Sequence, residues 1–234
     1  MSFVRQTLRG NRSAPARAPQ SRPDRPPVLL IHGYLGTQGS LHLLEQRLTE
    51  MGYLVTSHRL GLLHTGDICN SAALIAASIE SIAAKTNMDR VDIVGHSMGG
   101  LVGLYYVKHM GGRRRARRLV MLGTPTTGTW SALLGVAIAP LGRAGLQLLP
   151  NSGFLRNLDA GSLPQGVEIV SVSGDRDRLA PPSTTRMRGV RHVCLPTNHA
   201  GLLVDAQVAR VVGEILAAPM PNPSQAARSG AHCR

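Results

Sequence analysis

The sequence predicts an α/β fold: about six mostly parallel strands, helices on both faces of the sheet, and a leucine-rich insertion between the fourth and fifth strands. Three observations carry this. Strand-like and helix-like segments alternate from residue 28 onward, the pattern of a sheet wrapped by crossover helices. The first strand segment, VLLI at Val28–Ile31, is a continuous apolar run, as a strand buried on both faces requires. Strand-like VDIV also runs directly into G-H-S-M-G-G and then into a helix-like segment, which implies a sharp strand-to-helix turn.

The elements follow in order. After Val28–Ile31, Leu41, Leu44 and Leu48 recur at helical spacing and Gly52 closes that helix. YLVTSHRL reads as a second strand. Asp67 is placed to cap a helix running through Ala84, with Leu74, Ile75, Ile79 and Ile82 on one side. VDIVG is a third strand, followed by a helix over 101–109. RLVMLGTP is a fourth strand, Val167–Gly174 a fifth and HVCLP a short sixth. GLLVDAQVARVVGEILA then predicts one terminal helix. Residues 126–166 are broken by Pro140, Pro150 and Pro164. A connection of that length is expected to hold short helices of its own.

The expected organisation is a disordered basic arm over 1–27, one domain over 28–218 with 126–166 as a lid or cap, and a disordered tail over 219–234. The arm is dense in Pro and Arg and poor in apolar residues. It lacks the apolar segment of a usual secretory signal, so a cytoplasmic location is expected. The longest uncharged apolar run, 131–142, falls short of the ~20 residues that span a bilayer, and no transmembrane helix is expected. Cys69, Cys194 and Cys233 form neither a disulfide framework nor a zinc pattern.

Net charge is +13, from 26 basic and 13 acidic residues. Such a charge suits nucleic acid or anionic lipid. RRRARR at Arg113–Arg118 has no interleaved aromatic residue to stack on bases. It is expected to be a solvated helix-to-strand connection, with no nucleic-acid role. The arm's charge suits peripheral contact with an anionic membrane.

A lone G-x-S-x-G means little in a chain with 26 glycines; its context gives it weight. A nucleophilic serine on such a turn needs small residues two positions either side, here Gly95 and Gly99. It also needs a base and an orienting acid, following it in the order acid, then histidine, on loops after later strands. The loop after the fifth strand offers Asp175 and Asp177, and the loop after the sixth offers His199. Residue order does not separate the two aspartates. His109, His192 and His232 fall outside such loops. His96 is expected to point away from the site and to be structural. Oxyanion donors should come from the N–H of Met98 and from Tyr34 or Leu35 in the loop after the first strand.

VLLIHGYLG, VDIVGHSMGG, LGTPTTGT, SGDRDRLAPP and NHAGLL occur in the order found in bacterial lipases and esterases of the α/β-hydrolase superfamily. The chain resembles these proteins over about Pro27 to Ala217. The resemblance implies the α/β-hydrolase fold and Ser97 as nucleophile, His199 as base and Asp177 as acid. It also implies Tyr34 and Met98 as the oxyanion hole, and that LGTP leads into the lid. Relatives often carry histidines where this chain has Thr126 and Thr127.

The expected activity is hydrolysis of carboxylic esters, lipid-like ones included, through an acyl-enzyme, with no cofactor and no metal. Acyl transfer or thioester cleavage by the same residues is the alternative, and a non-catalytic binding protein is a third. Leu35, Trp130, Leu133 and Leu134 are expected to line the acyl site.

Overall fold

A computed structural model describes residues 25–58, 60, 65–132 and 142–221. Six parallel strands form one sheet: β1 (Val28–Ile31), β2 (Val55–Ser57), β3 (Val91–His96), β4 (Ala116–Leu122), β5 (Glu168–Gly174) and β6 (Arg191–Leu195), in the order β2-β1-β3-β4-β5-β6. The order reverses between β1 and β3. The carboxyl ends of those two strands therefore flank the topological switch point, where ligands of open α/β sheets bind.

Alternation of side chains along each strand divides the core in two. Leu29, Ile31, Ile93, Leu119 and Met121 face one layer. Val28, Leu30, Val94, Val120 and Leu122 face the other. Every residue of β1 is fully buried, so each aliphatic side chain there contributes about 1.5–3 kcal/mol.

The first layer is covered by α2 (Ile68–Thr86) and α3 (Met98–His109). Asp67 caps α2, its carboxylate accepting from the N–H groups of Cys69 and Asn70. Ile68, Ala72, Ile75, Ile79 and Ile82 form the buried stripe, a spacing that keeps one helical face inward. Leu74 was expected on that stripe but is 54% exposed, because it lies about 100° round the helix from Ile75. By length and composition alone α2 could cross a membrane. Here its isoleucine stripe is core.

The second layer is covered by α1 (His42–Glu50), α7 (Gly201–Val204) and α8 (Ala206–Ala217). The single terminal helix expected from sequence is two. Asp205 takes an extended conformation and its side chain caps Gln207 N–H at 2.8 Å. A short polar side chain that competes for backbone N–H groups ends one helix and starts the next. β2 is also shorter than expected, only Val55–Ser57.

The insertion contains α4 (Arg143–Gln147) and α5 (Gly153–Asp159). α6 (Pro182–Thr185) follows β5. Leu148, Leu155 and Leu158 join the first core layer, and Phe154 stacks on Tyr105 with centroids 5.9 Å apart. The insertion packs onto α2 through α4 and onto α3 through α5, and these leucines are buried in that contact. Most of the arm and tail lie outside the described residues. Arg25, at the arm's end, sits 4.7 Å over the Tyr53 ring and donates to the Met51 carbonyl.

RRRARR is not the solvated connection expected. Arg113 and Arg114 are exposed, but Arg115 pairs with Glu80 at 2.8 Å. Arg117 grips the buried Asp92 through two bonds, at 2.9 and 2.5 Å. Arg118 is fully buried. Such arginines anchor the amino edge of the sheet.

Candidate active site

The turn at Ser97 follows from its neighbours. Ser97 has φ 53° and ψ −123°, a backbone state that costs a non-glycine residue about 1–3 kcal/mol. Its N–H donates to the Leu122 carbonyl at 2.8 Å, and its carbonyl accepts from Gly100 N–H at 3.0 Å. A Cβ on Gly95 would lie 2.5 Å from the Gly99 backbone, and one on Gly99 would collide with the Ile31 carbonyl. The start of α3 can thus press directly on the end of β1. That contact brings the loop after β1 under the serine: a Cβ on Gly33 would sit 2.9 Å from the Ser97 Cβ.

In that loop the Gly33 carbonyl accepts from Gly36 N–H at 3.1 Å and lies 3.1 Å from His32 Nδ1. Leu35 has φ 53°, a further strained residue beside the site. Tyr34 follows Gly33 directly. Met98 is the first residue of α3 and is fully buried. A helix start leaves its first N–H groups without intrahelical partners, so the Met98 N–H suits an anionic oxygen.

Asp177 and His199 come together from separate loops. His199 Nδ1 lies 2.6 Å from Asp177 Oδ2. The other oxygen, Oδ1, accepts from the N–H groups of Leu179 at 2.9 Å and Ala180 at 2.8 Å. The Asp177 side chain is wholly buried, while that of His199 remains 15% exposed. Asp175 is solvated beside Arg176, 3.4 Å away. Geometry therefore separates two aspartates that residue order could not.

Gly123, the residue after β4, makes room for this pair. Its φ is +58°, and a Cβ there would stand 3.1 Å from Asp177 Oδ2 and 3.2 Å from His199 Nδ1. Because Ser97 N–H bonds the preceding residue, Leu122, one strand end registers both the serine turn and the acid–histidine pair. The glycine of LGTP is the sequence signal for this.

Two of the rival histidines have local partners. His109 packs on Tyr105 with centroids 4.9 Å apart, and His192 Nε2 lies 3.2 Å from Thr185 Oγ1. His232 lies outside the described residues. His96 does not point away as expected: its ring centroid is 4.6 Å from that of His199, and its Nε2 is 3.1 Å from the His199 carbonyl oxygen.

Of the expected acyl-site residues, Leu35 stands in the turn after β1 and is partly buried. Trp130 is 67% exposed. Leu133 and Leu134 lie outside the described residues. Thr126 and Thr127 tie the insertion to α6. Thr126 Oγ1 and Thr127 N–H each donate to the Thr184 carbonyl at 3.2 Å. No group of three or more His, Cys, Asp or Glu among the described residues could hold a metal ion.

The sequence profile of the family Lipase (class 2) matches residues 25–161, more than half of the chain. The chain belongs to the class 2 lipase family. The family match spans the Gly33 loop and the Ser97 turn. Asp177 and His199 lie beyond it and stand on their own geometry. The structure is similar to the mature lipase BlEst2 of Bacillus licheniformis, with TM-score 0.69 and 17% identity, over 87% of this chain and 96% of that one. It is also similar to lipase B of Aspergillus fumigatus, with TM-score 0.74 and 18% identity, over 91% of this chain and 57% of the other. A Rhizobium rhizogenes protein named for carbamate hydrolysis, RutD, is 33% identical over 87 residues. That alignment takes in 36% of this chain and 33% of the relative's length.

Two buried histidines should make stability depend on pH. His32 is fully buried and His96 is 5% exposed. Burial holds both imidazoles below their ordinary range, His96 well below it, with the neighbouring His199 as a further cause there. Each binds its proton more readily in the unfolded chain. Their contribution is therefore complete above the unfolded value of about 6.5 and is lost as pH falls from there toward the folded values. Unfolding free energy should drop below pH ~6.5 by up to about 1.4 kcal/mol per pH unit for each histidine. Urea midpoints at pH 7.5, 6 and 5 check this; equal midpoints would refute it.

Proposed function

We propose that the protein is a serine hydrolase that cleaves carboxylic esters, lipid-like acyl esters among them, through an acyl-enzyme on Ser97. The observation that carries this reading is the 2.6 Å Asp177–His199 pair, packed over the strand end that also holds the strained Ser97 turn. A turn of that cost persists where function uses it, and membership of a lipase family agrees.

His199 Nε2 takes the Ser97 Oγ proton as Oγ attacks the ester carbonyl carbon. The N–H groups of Tyr34 and Met98 receive the negative oxygen. The C–O bond to the alcohol then breaks, and His199 returns the proton to the departing oxygen. Water attacks the acyl-enzyme with His199 again as base, which frees the acid and restores Ser97. Asp177 holds the Nδ1–H tautomer and stabilises the imidazolium. Its Oδ1 is already committed to two backbone N–H groups, so the carboxylate cannot swing.

Purified protein given p-nitrophenyl esters from C4 to C16 should turn them over saturably, and a fluorophosphonate probe should form an adduct on Ser97. Absence of both would sink the proposal. Product analysis with added alcohols and thiols separates hydrolysis from acyl transfer. The exposed Trp130 and the core packing of Leu148 and Leu155 leave the acyl preference to that ester series.

A further inference from the structure

We propose that His96 is a positioning residue for His199: its Nε2–H tethers the carbonyl of the base to the strand that carries the nucleophile. The proposal rests on His199 being the base and adds a residue to that machinery.

The topology creates the need. Ser97 follows β3, while His199 follows β6. Two strands, β4 and β5, lie between them in the sheet. Any shear or twist of the sheet would change the Ser97–His199 separation. A misplacement of about 1 Å at reacting atoms costs about 10²-fold in rate. The Asp177 bond does not remove this freedom, because Asp177 follows β5 and moves with the same side of the sheet. A tie from the His199 loop back to the end of β3 does remove it.

His96 provides that tie. It is the last residue of β3 and immediately precedes Ser97. Its Nε2 is 3.1 Å from the His199 carbonyl oxygen. A carbonyl oxygen only accepts, so Nε2 carries the hydrogen and the ring is in its Nε2–H tautomer. The ring also lies beside the His199 ring, centroids 4.6 Å apart and inclined by 50°, and limits its tilt. On the other side, a Cβ on Gly33 would be 3.5 Å from His96 Nδ1. One buried imidazole therefore bonds the base loop and stands next to the loop that holds Tyr34. The titratable groups acting on it are His199 and His32, and burial keeps it neutral. It can thus stand beside an imidazolium at His199 without adding a second charge.

Two variants separate positioning from simple packing. His96→Phe keeps a ring of similar size but has no donor. His96→Gln keeps an N–H donor of similar reach but has no ring. With p-nitrophenyl butyrate, kcat of His96→Phe should fall about 10- to 100-fold with KM within about twofold of wild type, as for lost supporting partners at other sites. His96→Gln should recover to within about fivefold of wild type. Thermal midpoints are measured alongside. A His96→Phe enzyme with wild-type kcat overturns the proposal, as does a kcat loss that follows the folded fraction in both variants. If His96→Phe does not fold, His96→Gln carries the test: a folded Gln variant more than about tenfold slower overturns the tether. A wild-type protein that turns over no ester refutes the hydrolase reading instead, so the two failures are distinguishable.

Discussion

Alanine at position 97 is expected to lower kcat for ester hydrolysis by about 10⁶-fold, with the fold intact. Removal of the nucleophile from such a constellation removes nearly all of its covalent catalysis and leaves only binding and oxyanion stabilisation, worth about 10³–10⁴ over water. Alanine should also relieve little at the turn, because any Cβ must bear φ 53° and ψ −123° there. Stability should therefore change little, and circular dichroism should match wild type. Asp177→Asn is the companion test. With its amide oxygen held by the Leu179 and Ala180 N–H groups, the asparagine turns its NH2 donor to His199 Nδ1, which favours the wrong tautomer, and kcat should fall about 10⁴-fold. Asp175→Asn should stay within about twofold, since that carboxylate is solvated beside Arg176. Steady-state kinetics on the three variants checks the set. Retained turnover in Ser97→Ala would remove the acyl-enzyme, and equal losses at 175 and 177 would remove the assignment of the acid.

Features set by a few adjacent residues were legible in the sequence. Val28–Ile31 could only be a strand buried on both faces. Asp67 before an apolar helical stripe stands where a cap belongs. Gly95 and Gly99 around Ser97 fit the sharp turn, and the loops after β5 and β6 could be placed by order alone. What escaped depended on partners far along the chain. Asp175 and Asp177 are equivalent until the Leu179 and Ala180 N–H groups select one. His96 looks like a spectator until the His199 loop is folded back onto β3. Leu74 lies one residue outside the buried face, next to Ile75 in sequence but about 100° round the helix from it. Asp205 sits inside an apolar helical pattern, and its extended backbone and its bond to Gln207 N–H make the break. The left-handed Gly123 matters because of the pair packed over it, which no local pattern encodes.

Arg118 gives the second large effect, on stability rather than on chemistry. Asp92, Arg118 and Glu168 stand in register across β3, β4 and β5. Arg118 Nε bonds Glu168, Nη1 bonds the Leu216 carbonyl at 2.8 Å, and Nη2 bonds the carbonyls of Ala218 at 2.5 Å and Pro219 at 3.1 Å. Those carbonyls end α8, where a helix has unpaired acceptors and partial negative charge. Arg117 Nη2 adds a bond to Leu216 at 2.7 Å. The guanidinium thus closes the C-terminal helix onto the sheet while compensating a nearly buried carboxylate. Arg118→Ala strands Glu168 and several carbonyls at once, and breaking such a buried pair costs about 3–5 kcal/mol. For a domain of this size that is a fall of about 6–20 °C in Tm. Arg113→Ala and Arg114→Ala, exposed members of the same run, should stay within about 0.5 kcal/mol. Arg118 lies at the amino edge of the sheet and Ser97 at the carboxyl edge, so kcat per folded molecule should not change. Urea unfolding of the three variants decides it: a loss below about 1 kcal/mol for Arg118→Ala would mean that the clamp does not hold the terminal helix.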